Sequence, residues 1–176
     1  MSTPEMMFDS FQLSEGMEIR RATPADCADI TALEASCFPP AEAASYESFA
    51  ARLAAFPDRF YLLILDGKPV SMVNGSLTRE TDLRDEMFHD AALHDPEGGW
   101  QMIFGVATHP DYRRRGYAAA LLRRLICDCR EEGREGLVLT CKRAKLDYYA
   151  RFGFVNEGLS SSEHGGDVWY QMRIRF

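Results

Sequence analysis

Residues 102–122 read Met102-Ile103-Phe104-Gly105-Val106-Ala107-Thr108-His109-Pro110-Asp111-Tyr112-Arg113-Arg114-Arg115-Gly116-Tyr117-Ala118-Ala119-Ala120-Leu121-Leu122. The stretch predicts a buried strand, a turn, and a helix whose first turn is basic and carries glycine. The first four N–H groups of a helix lack intrahelical partners and sit at the positive end of its dipole, so such a helix start attracts phosphate. Gly116 has no Cβ and lets a ligand approach the backbone. Ala118 and Ala119 keep the first turn slim and helical, and Arg113, Arg114 and Arg115 add positive charge. Beyond them Ala118, Leu121, Leu122, Leu125, Ile126 and Cys129 recur at helical spacing, which packs the helix on the preceding strand.

Downstream, residues 136–141 (GLVLTC) predict the next strand, parallel to the first because a helix connects them. Residues 144–152 form a short helix closed by Gly153, Phe154 begins a strand, Gly165-Gly166 turns, and residues 167–175 alternate as a last strand. Upstream, residues 60–65 (FYLLIL), Asp66-Gly67 and residues 69–78 read as an antiparallel hairpin. Residues 1–16 form a loose arm and 17–176 one domain, opening with a strand over 17–22. Thr23-Pro24-Ala25-Asp26 starts a first helix with Ile30, Leu33, Ala35 and Cys37 inward, stopped by Pro39-Pro40. A second helix over 45–56 carries Tyr46, Phe49, Leu53 and Phe56 inward. Residues 79–99 are acidic, with a short helix around 85–93, and read equally as a substrate-proximal lid or a solvated insertion.

Composition narrows the classes. A formal net charge of −7 argues against a general electrostatic grip on nucleic acid. The five cysteines are odd in number, lack metal-ligand spacing and sit within predicted elements, so reduced core thiols and no metal are expected. No apolar run approaches the roughly 18 residues of a membrane span. The expectation is a soluble cytoplasmic protein, monomeric or homodimeric, with no membrane or nucleic-acid partner. No G-x-x-x-x-G-K-[ST] phosphate loop or G-x-G-x-x-G dinucleotide fingerprint is present.

Arg113-x-x-Gly116-x-Ala118 after a hydrophobic strand resembles the [RQ]-x-x-G-x-[GA] pyrophosphate motif of the GNAT superfamily of N-acetyltransferases. Tyr149-Ala150-Arg151-Phe152-Gly153-Phe154 matches its Y-x-x-x-G-F signature at the expected distance. The resemblance covers most of the chain and implies an α/β (α+β) GNAT fold: a mixed, mostly antiparallel sheet of six to seven strands flanked by about four helices. A finer likeness, to the arylalkylamine (serotonin) N-acetyltransferases, rests on Asn74-Gly75-Ser76-Leu77 before the acidic loop, Ala107-Thr108-His109, and Leu139-Thr140-Cys141 leading to Tyr149. That branch carries an H-x-H pair where this chain has Met102 and Phe104, which excludes a histidine relay there and makes the amine pocket more apolar.

What the resemblance implies is transfer of an acetyl group from acetyl-CoA to a small primary amine by direct attack on the thioester. Val106, Ala107 and Thr108 would pair with the pantetheine arm, and Arg113, Arg114, Arg115, Gly116, Tyr117, Ala118 and Ala119 would cradle the pyrophosphate. A backbone N–H near Val106 would polarise the carbonyl. Tyr149 is the candidate acid for the leaving thiolate, since a phenol of pKa about 10 is protonated at pH 7. Phe38, Met102, Phe104 and Thr140 would contact the acceptor. Glu34, the carboxylates of the acidic loop, His89 and His94 are candidate bases that no spacing separates; His109 reads as a cap and Cys141 as core. A protein or peptide N-acetyltransferase and a non-catalytic acyl-CoA-binding module are the rival readings.

Overall fold

The computed structural model describes residues 11–176. Seven strands form one sheet: β1 (Met17–Arg21), β2 (Phe60–Leu65), β3 (Lys68–Thr78), β4 (Trp100–Thr108), β5 (Gly136–Cys141), β6 (Val155–Leu159) and β7 (Tyr170–Arg175). Their spatial order is β1-β2-β3-β4-β5-β7-β6. All neighbours are antiparallel except β4 and β5, the pair bridged by a helix. Five helices accompany them: α1 (Cys27–Cys37), α2 (Tyr46–Ala55), the single turn α3 (Glu86–His89), α4 (Tyr117–Glu131) and α5 (Leu146–Ala150). The mixed α/β fold expected from the sequence is the one observed.

β2 shows how the layers are built. Its side chains alternate faces: Phe60, Leu62 and Ile64 pack under α1 and α2, and Tyr61 and Leu63 under α4. Both faces are covered, so the strand is an unbroken apolar run. α4 buries Leu121, Leu122, Leu125, Ile126 and Cys129, as its spacing predicts. Fully burying each leucine contributes about 1.5–3 kcal/mol.

Several expectations need correction. Ala35 is exposed, Cys37 is half-buried, and Tyr46, at the first residue of α2, is 51% exposed. Glu34 and Arg52 are buried instead. α1 and α2 pack on each other as well as on the sheet, which widens their inner faces enough to take in one carboxylate and one guanidinium. Of the arm expected over 1–16, residues 1–10 lie outside the described residues. The remainder lies on the domain: Phe11 meets Tyr117 edge-on with ring centroids 5.9 Å apart, and the Asp66 N–H donates to the Gly16 carbonyl at 2.9 Å. Residues 79–99 are not wholly solvated either. Leu83, Met87 and Phe88 are buried with Trp100, Met102 and Val138, and Arg173 ties the segment down by donating to the Thr81 carbonyl and to Asp82.

Two irregularities of β4 position the site. Opposite β3 the register shifts so that Asn74 faces Gly105 and Gly75 faces Ile103, leaving Phe104 as the extra residue of a bulge. Gly75 is obligatory there, because a Cβ on it would fall 1.7 Å from the Met102 carbonyl oxygen. On its other side β4 pairs with β5 only from Trp100↔Gly136 to Ile103↔Leu139.

Candidate active site

Beyond Ile103, β4 runs on to Thr108 with no strand partner on the β5 side among the described residues, while β3 pairs with it as far as Thr108. The two parallel strands part like a V. Unpaired main-chain groups along such an edge are open to an extended ligand arm.

The turn that follows opens α4 toward the same edge. Arg114 and Gly116 both have positive φ, 64° and 81°, and Gly116 is the N-cap of α4. Left-handed residues in such a turn tilt successive N–H groups toward one side, which adds to the unpaired donors of the helix start. A Cβ built on Gly116 meets only Phe11, at 3.8 Å, so the space in front of the turn is open there. Arg113 and Arg115 fold back on the loop, donating to the carbonyls of Thr108 at 3.0 Å and Asp111 at 3.3 Å. They brace the turn as well as charging it.

At the mouth of the V lies a cavity of about 320 Å³, walled by Phe38, Phe88, Phe104, Val106, Thr140 and Tyr149 among others. Its roof is the segment between β6 and β7. His164 stacks on Phe88 with centroids 4.8 Å apart, its Nε2 lies 3.0 Å from the Glu42 carbonyl, and Trp169 donates to the His164 carbonyl at 2.8 Å. Lys142 closes the other side by bridging Glu42 at 2.6 Å and Asp167 at 3.1 Å. Asp85 accepts from the Ser162 hydroxyl and the Glu163 N–H, at 2.5 and 2.9 Å.

Two ionisable groups look into this cavity with unusual electrostatics. Burial pushes the Tyr149 phenol well above its ordinary value, so it stays protonated throughout the neutral range. Glu34, 6% exposed, has its pKa raised by burial against the opposing pull of the Ala44 N–H and of Arg52. Its Oε1 accepts from the Ala44 N–H at 3.3 Å, and no donor among the described residues reaches its Oε2.

The structure therefore brings Phe38, Phe104, Val106, Thr140 and Tyr149 to one cavity, with the 113–119 turn at the end of the same strand. It does not bring Met102, which is fully buried with Trp100 and Val138 where β4 and β5 are still paired. Tyr117 and Ala107 are also buried, at 5% and 2% exposure, so only their backbone can serve a ligand. Of the candidate bases, Glu34 alone reaches the cavity. His89 is exposed on α3; burial lowers the pKa of His94, whose Nδ1 accepts from the Leu77 N–H beside Phe56. His109 caps its turn by accepting from the Asp111 N–H, and Cys141 is a buried thiol whose pKa burial raises to about 11. No metal-binding cluster exists among the described residues. Sequence reasoning missed His164, Trp169, Lys142 and Glu42; the Gly165-Gly166 turn was their one local signal.

The model of the acetyltransferase (GNAT) family matches residues 27–154, which spans the V, the turn and the cavity walls but not the roof that carries His164 and Trp169. The chain belongs to the GNAT family. Membership makes it an acyltransferase by family and gives it a coenzyme A-based cofactor. Solved structures share the fold. The GNAT-like decarboxylase GphF in complex with isobutyryl-CoA is 22% identical with a TM-score of 0.77, over 90% of this chain and 98% of that one. The ribosomal-protein-S18-alanine N-acetyltransferase from Escherichia coli is 19% identical with a TM-score of 0.67, over 90% and 93%. A GNAT family acetyltransferase from Brucella melitensis in complex with acetyl-CoA is 20% identical with a TM-score of 0.59, over 91% and 88%. At such identities the likeness is one of fold, so the acceptor of this GNAT protein must be argued from its own cavity. No helix of the described residues is long and apolar enough to cross a membrane.

Proposed function

We propose that this GNAT protein acetylates the primary amine of a small, ring-bearing molecule of the arylalkylamine kind, using acetyl-CoA. The observation that carries the reading is the cavity: about 320 Å³, walled by aromatic rings, with the loops around its acceptor side joined through Lys142, Glu42, His164 and Asp85. That volume is at the small end of ligand pockets, which favours a small acceptor over a polypeptide. The rings of Phe38, Phe88 and Phe104 suit a flat apolar acceptor.

Acetyl-CoA supplies an activated thioester. The 113–119 turn would hold its diphosphate, the free edge of β4 would orient the pantetheine arm, and a main-chain N–H near Val106 would polarise the thioester carbonyl. Tyr149, in the cavity wall, would serve as the proton donor to the leaving sulfur, and burial keeps it in its neutral form. Holding both reactants in one walled site supplies much of the rate.

The test is release of free coenzyme A from acetyl-CoA in the presence of phenylethylamine, tryptamine, spermidine, or peptides with free N-termini and lysines. The expected order of kcat/KM is arylalkylamines, then polyamines, then peptides. A preference for peptides sinks the small-molecule reading, and no turnover with any acceptor leaves an acyl-CoA-binding module in its place.

A further inference from the structure

Glu34 is a puzzle as a structural residue. Its carboxylate is 6% exposed and one of its oxygens, Oε2, lacks any donor among the described residues. Burying an ionised oxygen without a hydrogen bond is costly, and replacing Glu34 by an apolar residue would remove that cost. The orphan oxygen lies beside Gly105, 3.9 Å from the point a Cβ there would occupy. Gly105 is the residue after the β4 bulge, on the free edge, and both residues line the acceptor cavity. The same point lies 3.3 Å from Asn74 Nδ2, so the missing Cβ leaves room between the carboxylate, Asn74 and that edge.

Behind Glu34 a second buried charge is built in. Arg52 of α2 is 5% exposed; it donates from Nη1 to Asn74 Oδ1 at 3.0 Å and from Nη2 to the Phe88 carbonyl at 2.9 Å. Burial lowers its pKa to about 10, so it remains a cation at neutral pH. The other charged or titratable groups around the cavity are Cys37 from the end of α1, Glu42 from the loop after it, Cys141 at the end of β5, Lys142 and Lys145 beyond it, His164 from the roof and Tyr149 from α5. Lys142 is held by Glu42 and Asp167. Arg52 is thus the cation that acts on Glu34, and the Glu42 charge is already answered.

Resting on the small-amine reading, we propose that Glu34 is a catalytic residue that receives the acceptor as its ammonium form on Oε2 and takes one proton from it. The protons balance. R–NH₃⁺ gives one proton to the Glu34 carboxylate, which releases it to solvent. The neutral amine nitrogen bonds to the acetyl carbon, and the C–S bond breaks with its electron pair on sulfur. Tyr149 protonates the sulfur and is restored by the second proton leaving the nitrogen, and the third hydrogen stays on the amide.

The experiment compares wild type and Glu34→Gln with two acceptors, 2-phenylethylamine, an ammonium ion at pH 7, and 2,2,2-trifluoroethylamine, which is largely neutral there. The expected result at pH 7 is a fall in kcat/KM of about 10²-fold or more for phenylethylamine, the scale of lost general base catalysis. The fall should be less than about tenfold for trifluoroethylamine, and phenylethylamine turnover by the variant should climb with pH toward the amine's own pKa. Retention of the acetyl-CoA-induced rise in melting temperature shows that Glu34→Gln is folded; if it is not, the same contrast is read in Glu34→Asp, which keeps the charge but shortens its reach. Equal losses with both amines, or none, overturn the role of Glu34 and leave amine acetylation standing. A wild type that turns over neither amine overturns the small-amine reading and this one with it.

Discussion

The Tyr61 hydroxyl donates to Asp128 Oδ2 at 2.8 Å, joining β2 to α4 across 67 residues of sequence. Arg21 reaches the same oxygen at 2.6 Å and Arg124 reaches Oδ1 at 3.0 Å. Asp128 therefore pins the helix whose first turn is the proposed phosphate cradle. Asp128→Ala leaves a phenol of a 1% exposed tyrosine unpaired and is expected to cost about 2–4 kcal/mol, by loss of a buried hydrogen-bonded charge. Tyr61→Phe, which removes one neutral donor, should cost about 1 kcal/mol. Urea denaturation of both variants measures the difference.

Stability should fall in acid. The Arg20 guanidinium lowers the Asp26 pKa, and that of Arg173 lowers the Glu157 pKa. Burial pushes Asp128 up, but its hydrogen bonds from Tyr61, Arg21 and Arg124 bring it below its ordinary value. A depressed folded pKa contributes stability above the unfolded value, near about 4, and that contribution is lost as pH falls through the folded one. Glu34 has the opposite sign: its raised pKa makes the folded protein gain stability as pH falls from that raised value toward the ordinary one. Glu34→Gln should therefore melt at least as high as wild type at pH 7 while removing that gain, a trade of function for stability. Thermal melts from pH 8 to pH 3 check both signs.

Acetyl-CoA should raise the melting temperature. At about a hundred times Kd the stabilisation is about 2.7 kcal/mol, or about 5–10 °C for a chain of this size. Gly116→Val should abolish the rise. Its φ of 81° makes a branched side chain strained by about 1–2 kcal/mol, and the new methyl groups occupy the open space before the turn. A rise that survives in Gly116→Val would show that the diphosphate binds elsewhere.

Tyr149→Phe should lower kcat by about 10²-fold, the contribution of a positioned proton donor, and leave the acetyl-CoA-induced rise in melting temperature intact. Steady-state kinetics with a matched thermal shift assay separates the two. Unchanged kcat would remove Tyr149 from the chemistry.

Lys142→Met unlatches the roof without touching the donor site. Glu42 and Asp167 lose their shared cation, and stability should change by no more than about 1 kcal/mol because Lys142 is half-exposed. KM for the amine should rise more than kcat falls, and peptide acceptors should gain relative to small amines. Acceptor profiles of the variant and wild type measure the shift.

The turn and start of α4 were legible in the sequence because they are a local device. Arg113 to Ala119 specify a turn and a helix start within seven residues, and the physics of unpaired N–H groups needs no distant partner. β2 and α4 were legible for the same reason: period 2 and period 3.6 are properties of short segments. Tyr149 could be named because its spacing to Gly153 and Phe154 is also local. Glu34 could be listed but not singled out, since periodicity assigns apolar residues to the inside and gives no reason for a glutamate to join them.

The chain's own order of residues determined the strand-turn-helix cradle, the parallel β4–β5 crossover and the alternation that buries β2 on both faces, all of which follow from the reach of neighbouring residues. Tertiary structure alone decided that β4 and β5 part after Ile103↔Leu139, which excludes Met102 from the cavity and admits Phe104. It also decided that α1 and α2 enclose Glu34 and Arg52 together, and that residues far apart in sequence, His164 and Glu42, meet at the cavity. Burial, register and orphaned oxygens are sums over partners distant in the chain, so a single stretch cannot encode them.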